Sequence, residues 1–592
     1  MTAGGTLPPR AGLAGTLADV LARRAEATPD RLAFSFLDDD LREERRFTYA
    51  DLYARAARLG AALRAGLPPG ARVLLLLPPG PDYVVAVFGC FHAGAVAVSA
   101  APPSPAQLDR ALPRLRSIVA DARVSGVVTN ALVRSFVDGL APLTDDGRPL
   151  LWLDAEDAGR PGGPLLPPTP TDPDTSAFLQ YTSGSTADPR GVMVGHRNLL
   201  ANCAALVETY GADADSVLFS WLPPYHDMGL IGGVLQPVYV GAPCHVVSPV
   251  AVIRRPRRWL EGMSRFRATI SGGPNFMYDR CVLRCPPDLA ETLDLSHWRV
   301  AVNGAEPVRA ATMEAFAAAF APAGFRAEAF APSYGLAEAT LVVTASRRGP
   351  AVRRFDAAEL RAGRARPADD GVPLAGNGEV IADHTVRIVD PETLAPCPDG
   401  VIGEVWVQGP SVALGYWDDP RTTSATFRAR IAGDPGAGDF LRSGDLGFLR
   451  DGELFVTGRR KEVLIINGAN HHPHDLEAAA ERGEPRLRPH CGAAFTVEGA
   501  GAARVVLVLE AAGDRPDAGW ADVVAGVRER VAADTGVPVE AVVLVGPRAV
   551  PKTTSGKIQR LRCRDRLLSG DLPVVAAWSA GDPPFRTAGQ TL

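Results

Sequence analysis

The sequence predicts an α/β protein: a large N-terminal domain of doubly wound βα subdomains with a β-rich subdomain, followed by a small C-terminal α+β domain. Three observations predict it. Helix and strand signals alternate as far as about residue 345. A polar segment at 347–378 then gives way to short strand-like runs. From about Thr457 the pattern becomes a compact mixture of both. At 592 residues the chain is too long for one ordinary domain.

The elements follow in order. Residues 16–27 have helical spacing. Thr48 followed by Asp51 has the form of a capping box opening a helix. RVLLLL (72–77) is a short apolar run stopped by two prolines, as in a buried parallel strand. A helix over 82–93 and a strand at AVAVSA complete a βαβ unit, for which the crossover is right-handed. Gly89, His92 and Gly94 interrupt the apolar stretch 84–101, which therefore reads as helix, turn and strand, not a membrane span. The segment 347–378 carries seven arginines, lacks a long apolar stripe and reads as a surface insertion. HTVRIVD and GEVWVQGPSVALGYW read as strands. A boundary at 457–461 gives domains 1–457 and 458–592. In the second, KEVLIING, a helix from Pro473, strands near 493–498 and 504–510, a helix near 520–534 and VEAVVLVG alternate.

Composition excludes several classes. Apolar residues make up 46% and charged residues 22%, as in soluble globular proteins. The net charge is −5 and no domain-sized block is strongly basic, which argues against a nucleic-acid binder. The eight cysteines are dispersed and read as buried thiols rather than a disulfide framework. Cys281 and Cys285 can share a helix face, but no second ligand pair lies near. The N-terminal residues lack a basic stretch followed by an apolar core, so a cytoplasmic location is expected.

Five short motifs carry chemistry. YTSGSTADPRGV (181–192) places Thr182, Ser183, Gly184, Ser185 and Thr186 between apolar flanks; hydroxyls and main-chain N–H groups there can hold phosphate, or form a plain turn. APSYGLAEAT (331–340) reads as an aromatic in a turn with Glu338 four residues on, or as an acidic helix start. SGDLGFL (443–449) puts Asp445 between glycines, suited to two ribose hydroxyls or to an ordinary turn. TGRRKEVLIINGANHHPHDLE (457–477) contains His471, His472 and His474, whose metal-like spacing is broken by Pro473. PKTTSGKIQR (551–560) sets Lys557 in a polar loop.

In this order and spacing the motifs resemble the adenylate-forming superfamily of acyl-CoA synthetases, luciferases and peptide-synthetase adenylation domains, over about residues 15–565. WLPPYHDMGLIGG, SGGPNFMYDRCV, VNGAEPV and GANHHPHDLE are similar to its fatty acyl-AMP ligase branch, and 347–378 lies where that branch carries an insertion associated with poor use of coenzyme A. The resemblance implies ATP and Mg²⁺ as cofactors, and a medium- to long-chain fatty acid and the phosphopantetheine arm of a holo-acyl carrier protein as partners. It implies that residues 182–186 hold the β- and γ-phosphates and that Glu338 helps hold Mg²⁺. Ser333, Tyr334 and Gly335 would lie on one side of adenine, with Gly304, Ala305 and Glu306 along the other. Asp445 takes the ribose, Arg459 adds a cation, and Lys557 bridges the carboxylate and α-phosphate. His226 would stand at the acyl–phosphate junction. Met228, Gly229, Ile231, Gly232, Gly273, Asn275 and Phe276 would flank the acyl chain, and Lys461 would be the hinge of a mobile C-terminal domain.

Two loop positions depart from the common superfamily pattern: Ala187 stands for a glycine and Arg190 for a lysine. Ala337 replaces a frequent threonine. The rivals are an acyl-CoA synthetase, which shares every adenylation residue, a silent protein that keeps the pocket, and a Walker-type NTPase, for which Gly-Lys-Ser/Thr is missing.

Overall fold

The computed structural model describes residues 15–103, 108–137, 149–160, 162, 165–182, 190–466, 469–498, 503–513, 519–553, 556–581 and 590–591. The chain is mixed α/β, with three principal sheets of thirteen, seven and five strands.

The capping box expected at Thr48 closes reciprocally with Asp51 and opens the helix Tyr49–Gly66. Thr16, read from the sequence as the first helical residue, is instead the cap of Leu17–Ala27 and closes a second box with Asp19. The helix Pro81–Ala93 ends at Gly94, whose φ of 67° suits glycine, and the chain re-enters the sheet as the strand Val96–Ser99.

The seven-stranded sheet is parallel through its centre, and its last two pairings are antiparallel: Ser176–Thr182 with Arg190–Gly195, and that strand with Gly415–Tyr416. The thirteen-stranded sheet changes character at one strand. Phe330–Gly335 pairs in parallel with Val300–Gly304 on one side and antiparallel with Val342–Ala345 on the other. Parallel strands continue beyond the first neighbour, and the antiparallel β-rich region beyond the second. A βα-wound half therefore runs into a hairpin-built half without a break in hydrogen bonding. One apolar core lies between the two large sheets, and a second, around Trp221, Trp259, Tyr278, Trp298 and Phe316, covers the other face.

The polar segment 347–378 carries secondary structure of its own. Val352–Phe355 and Val372–Ala375 form their own two-stranded sheet, with the short helix Ala357–Arg361 between them. Phe355 is fully buried, with ring centroids 5.1 Å from Phe448 and 5.5 Å from Phe455. Phe355 and Ala365, flanked by Leu360 and Leu374, pack the segment onto the β-rich region, and Ala365 and Gly363 pair by main-chain hydrogen bonds with Gly400 and Ile402; these scattered apolar positions form no stripe, which is why periodicity misses it. Its helix lies against the strand Ala469–His471.

After Arg459 the chain makes a single turn, Arg460–Glu462, and then builds the five-stranded sheet. This sheet carries an apolar cluster on each face, one of them under the helix Trp520–Thr535. Among the described residues no helix is long and apolar enough to cross a membrane.

Candidate functional site

The site forms where the two halves of the large sheet meet. Parallel pairing sets Asn303 opposite Pro332, so Gly304, Ala305 and Glu306 emerge beside Ser333, Tyr334 and Gly335. A Cβ on Gly304 would stand 2.9 Å from the Ser333 carbonyl oxygen, and the chain turns away at once through Ala305, with φ 68°. Ser333 is fixed by Tyr210, whose hydroxyl lies 3.0 Å from Ser333 Oγ.

Tyr334 and Asp445 lie in strands, not in the turns read from their flanking glycines. Tyr334 belongs to Phe330–Gly335 and Asp445 to the ten-residue strand Leu441–Arg450. Gly444 takes a left-handed φ of 73° inside that strand, so it acts as an irregularity and not as a chain reversal. The hairpin partner Glu453–Arg459 puts Arg459 directly opposite Asp445. The Tyr334 hydroxyl donates to Asp445 Oδ2 at 2.8 Å, and Arg459 Nε donates to Oδ1 at 3.0 Å. Asp445 is only 6% exposed, and a buried carboxylate needs such partners. Burial and the neighbouring carboxylate push the Tyr334 phenol well up, and Asp445 raises the Arg459 guanidinium.

Glu338 sits in the single turn Ala337–Ala339 and accepts from the Tyr416 hydroxyl at 2.9 Å. The Arg190 guanidinium lies 5.6 Å from the Tyr416 ring centroid, on the side chain that donates to Glu338. Desolvation raises the Glu338 carboxyl above its ordinary value, although its own backbone N–H, Tyr416 and Arg459 oppose this. Oxygen from one desolvated carboxylate, completed by phosphate and water, is the donor set Mg²⁺ takes in nucleotide sites, so Glu338 fits that ion.

Lys557 reaches the same cleft from the C-terminal region. It is exposed to water, yet the surrounding protein desolvates it and lowers its ammonium pKa. Arg459 adds to the lowering, while Asp227, Asp445 and Glu306 oppose it. Glu306 in turn is raised by burial, and its Oε1 accepts from Phe276 N–H at 2.6 Å. Three carboxylates thus act electrostatically on one lysine.

The apolar residues divide. Met228–Leu235 is a π-helical turn, which the sequence did not suggest and which suits a functional site. It follows His226, whose carbonyl accepts from Leu230 N–H at 2.7 Å. A Cβ on Gly229 would meet Pro223 O at 2.1 Å, whereas one on Gly232 would meet nothing within 4 Å. Ile231 is fully buried in the main core, and Gly273 backs onto Trp221. Asn275 uses its side chain internally, donating to Thr312 and accepting from Arg309 N–H and Asn303. The Phe276 ring lies about the width of one contact from Gly556, where a Cβ would stand 3.6 Å away.

Thr182 ends the strand Ser176–Thr182, and Ser183, Gly184, Ser185 and Thr186 lie outside the described residues. Lys461 is exposed in the turn after Arg459. Burial pushes His472 down to about 4 and His474 to about 3. Among the described residues no three His, Cys, Asp or Glu side chains gather as a metal cage.

Sequence reasoning overlooked Tyr416 and Asp227, which touch the site only through folding. It also overlooked a signal in plain view. Of 62 lysines and arginines only three are lysine, at positions 461, 552 and 557, all in the last quarter of the chain.

Comparison with known proteins agrees with this geometry. The AMP-binding enzyme family matches residues 21–417. The medium-chain-fatty-acid–[acyl-carrier-protein] ligase JamA of Moorena producens is 41% identical over 567 residues, spanning 94% of this chain and 96% of that protein. The 4-hydroxyphenylalkanoate adenylyltransferase of Mycobacterium tuberculosis is 37% identical over 577 residues, covering 93% and 92%. Among solved structures, the fatty acyl-adenylate ligase from L. pneumophila in complex with acyl adenylate and pyrophosphate superposes with a TM-score of 0.73 at 37% identity, covering 98% of this chain and 100% of that one.

Proposed function

This chain belongs to the AMP-binding enzymes, in their fatty acyl-AMP ligase branch, and from that premise we propose that it joins a medium- to long-chain fatty acid to AMP with release of pyrophosphate, then passes the acyl group to the phosphopantetheine thiol of an acyl carrier protein. The observation that carries this reading is the Tyr334–Asp445–Arg459 hydrogen-bonded cluster, with Lys557 and Glu338 within electrostatic reach of Arg459, in a chain collinear with a carrier-protein ligase over 94% of its length.

A carboxylate is a poor acyl donor because its leaving group would be oxide. Its attack on the α-phosphate of ATP forms a C–O–P linkage and expels pyrophosphate, giving an acyl-adenylate from which AMP departs readily. Both reactants are anions, so catalysis is mainly positioning and neutralisation. In this reading Tyr334 offers its ring to adenine between residues 304–306 and 333–335, and Asp445 accepts from the ribose hydroxyls. Arg459 and Lys557 neutralise the reacting groups, with Lys557 between the carboxylate and the α-phosphate. Residues 182–186 hold the β- and γ-phosphates. Glu338 would hold Mg²⁺, which when bound supplies further charge neutralisation. His226 stands where acyl chain and phosphate join, and the π-helical turn flanks the chain, each buried methylene contributing about 0.8 kcal/mol.

The reading includes two domains, 1–457 and 458–592, turning about Lys461. The residues beside Lys461 support it: Arg460 Nη2 donates to Glu392 at 2.8 Å on the N-terminal side, and Glu462 accepts from Arg560 at 2.5 Å on the C-terminal side. One pose delivers Lys557 for adenylation; another admits the carrier thiol. The insertion helix against Ala469–His471 supports restraint of that motion and a carrier protein, not coenzyme A, as acceptor. A cytoplasmic setting and a role in polyketide, lipopeptide or lipid assembly belong to the same reading.

The test is mass detection of acyl-AMP across a panel of fatty-acid lengths, repeated with coenzyme A and with holo-carrier protein. Acyl-AMP from fatty acid and ATP, with transfer to carrier protein and little to coenzyme A, is the expected result. Efficient acyl-CoA formation would favour a coenzyme A synthetase, and no acyl-AMP at any length would sink the reading.

A further inference from the structure

The three lysines are unevenly explained. Lys461 lies at the turn between the two regions and Lys557 enters the cleft, but Lys552 has no part in the chemistry above. Arginine fills every other Lys/Arg position, and the two side chains place their donors differently, a compact ammonium against a planar fork.

Lys552 Nζ donates to the His490 carbonyl at 2.7 Å and lies 3.2 Å from Cys491 Sγ. His490 is left-handed, with φ 57°, a conformation uncommon in non-glycine residues. Its surroundings are charged on both sides. Glu481 accepts from His490 N–H at 2.7 Å and from Cys491 N–H at 3.1 Å, while Lys552 takes the carbonyl. The turn so pinned aims the imidazole at the large domain, with Nε2 3.1 Å from Asp279 Oδ2.

Asp279 lies on the helix Asn275–Arg284, which meets the catalytic loop a second time through Phe276 and Gly556. Lys552 is also part of that loop. It bridges to Ile558, and Thr553 and Lys557 exchange two hydrogen bonds, Thr553 N–H to Lys557 O at 2.8 Å and Lys557 N–H to Thr553 Oγ1 at 3.0 Å. The base of the lysine loop, the His490 turn and the helix of Asp279 are therefore one connected assembly.

We propose that Lys552, His490 and Asp279 are positioning residues for adenylation: together they seat the loop of Lys557 on the helix Asn275–Arg284. This rests on the reading that Lys557 serves acyl-AMP formation. None of the three touches the reacting atoms. A loop held only at its hinge would sample many placements of the ammonium, and small misplacements of a charged group cost rate steeply.

The test compares K552M, K552R and D279N with wild type in two assays and a thermal melt. Fatty-acid-dependent ATP–pyrophosphate exchange should fall about tenfold in kcat in all three, with KM for ATP within about twofold of wild type. Transfer from supplied acyl-AMP to holo-carrier protein should stay within about twofold, because that step does not use this seat. K552M combined with D279N should be no worse than the weaker single variant. Unchanged exchange in D279N, or exchange, transfer and melting temperature falling together, would overturn the proposal while leaving the functional reading intact. A wild-type protein without fatty-acid-dependent exchange would overturn both.

Discussion

The hydroxyl of Tyr334 donates to Asp445 across 2.8 Å, joining a residue at the end of the parallel half of the large sheet to one in the antiparallel half. The two are 111 positions apart, and Arg459 completes the arrangement from the hairpin partner. Tyr334→Phe keeps the ring and removes this bond. A hydrogen bond to a charged group is worth about 1.5–3 kcal/mol. The variant should raise KM for ATP severalfold, lower the melting temperature and leave kcat nearly intact. Pyrophosphate exchange with an ATP titration measures this, and a collapse of kcat would contradict it.

Lys557→Ala removes the cation that faces Asp227, Asp445 and Glu306. Loss of such a group typically costs 10²- to 10³-fold in rate, so acyl-AMP formation should drop by about that factor. Lys557 is exposed and outside the apolar clusters, so circular dichroism and thermal melting should match wild type.

Arg190→Ala should be mild. Its one described aromatic contact is the Tyr416 ring, a cation–π interaction worth about 0.5–1 kcal/mol. A twofold to fivefold loss in kcat/KM for ATP is expected, about the factor that energy supports. A loss as deep as that of Lys557→Ala would make Arg190 a direct phosphate ligand.

The pH profile of kcat/KM, which reports the free enzyme, should be a bell narrower than the ordinary values allow. Desolvation raises Glu338 above 4.5, so activity requiring its carboxylate is lost earlier as pH falls. Desolvation, with Arg459 next, lowers Lys557 below 10.5, so activity requiring its ammonium is lost earlier as pH rises. A flat profile from pH 5 to 10 would contradict both assignments.

Stability should carry an acid-side signature from buried histidines. Burial holds His196 and His245 down at about 4, against an ordinary 6.5. Below pH 6.5 the unfolded chain takes up protons that the folded one refuses, so each group removes stability as pH falls from 6.5 to 4. The limiting slope is about 1.4 kcal/mol per pH unit, and nothing changes above 6.5. The raised carboxylates Glu306 and Glu338 act in the opposite sense, so the wild-type slope is a net one. His196→Asn isolates one contribution: denaturant unfolding at pH 7 and pH 5 should show a smaller difference than in wild type, and an equal difference would count against it.

What the sequence reveals here follows the range of the physics. The capping box at Thr48 acts over three residues and is read from spacing; the one at Thr16 has the same spacing with Asp19 but is passed over inside a helical run. Buried parallel strands such as Arg72–Leu75 announce themselves as apolar runs ended by proline. Tyr334 and Asp445 are singled out by resemblance, and the structure brings them into contact, but they are not legible as strand residues, because Gly335 and Gly444 look like turn glycines. Their conformations are set by a close carbonyl at Leu341 and by a sheet irregularity. The π-helical turn Met228–Leu235 has no local code, and the role of Tyr416 beside Glu338 depends on strands paired across more than two hundred positions.

The scarcity of lysine has a practical consequence. Apart from the chain's own terminal amine, an amine-acylating reagent has three addresses in 592 residues, and a lysine-specific protease has the same three. One is the turn at Lys461, one the anchoring Lys552 and one the cleft lysine Lys557. Modification mapped by mass spectrometry, with and without nucleotide and fatty acid, would read the accessibility of these three sites against an almost silent background. Cleavage after Lys461 would sever the two regions at their junction. The arginine-rich composition thus makes the few amines of this protein reporters of the surroundings of the junction turn and the Lys557 loop.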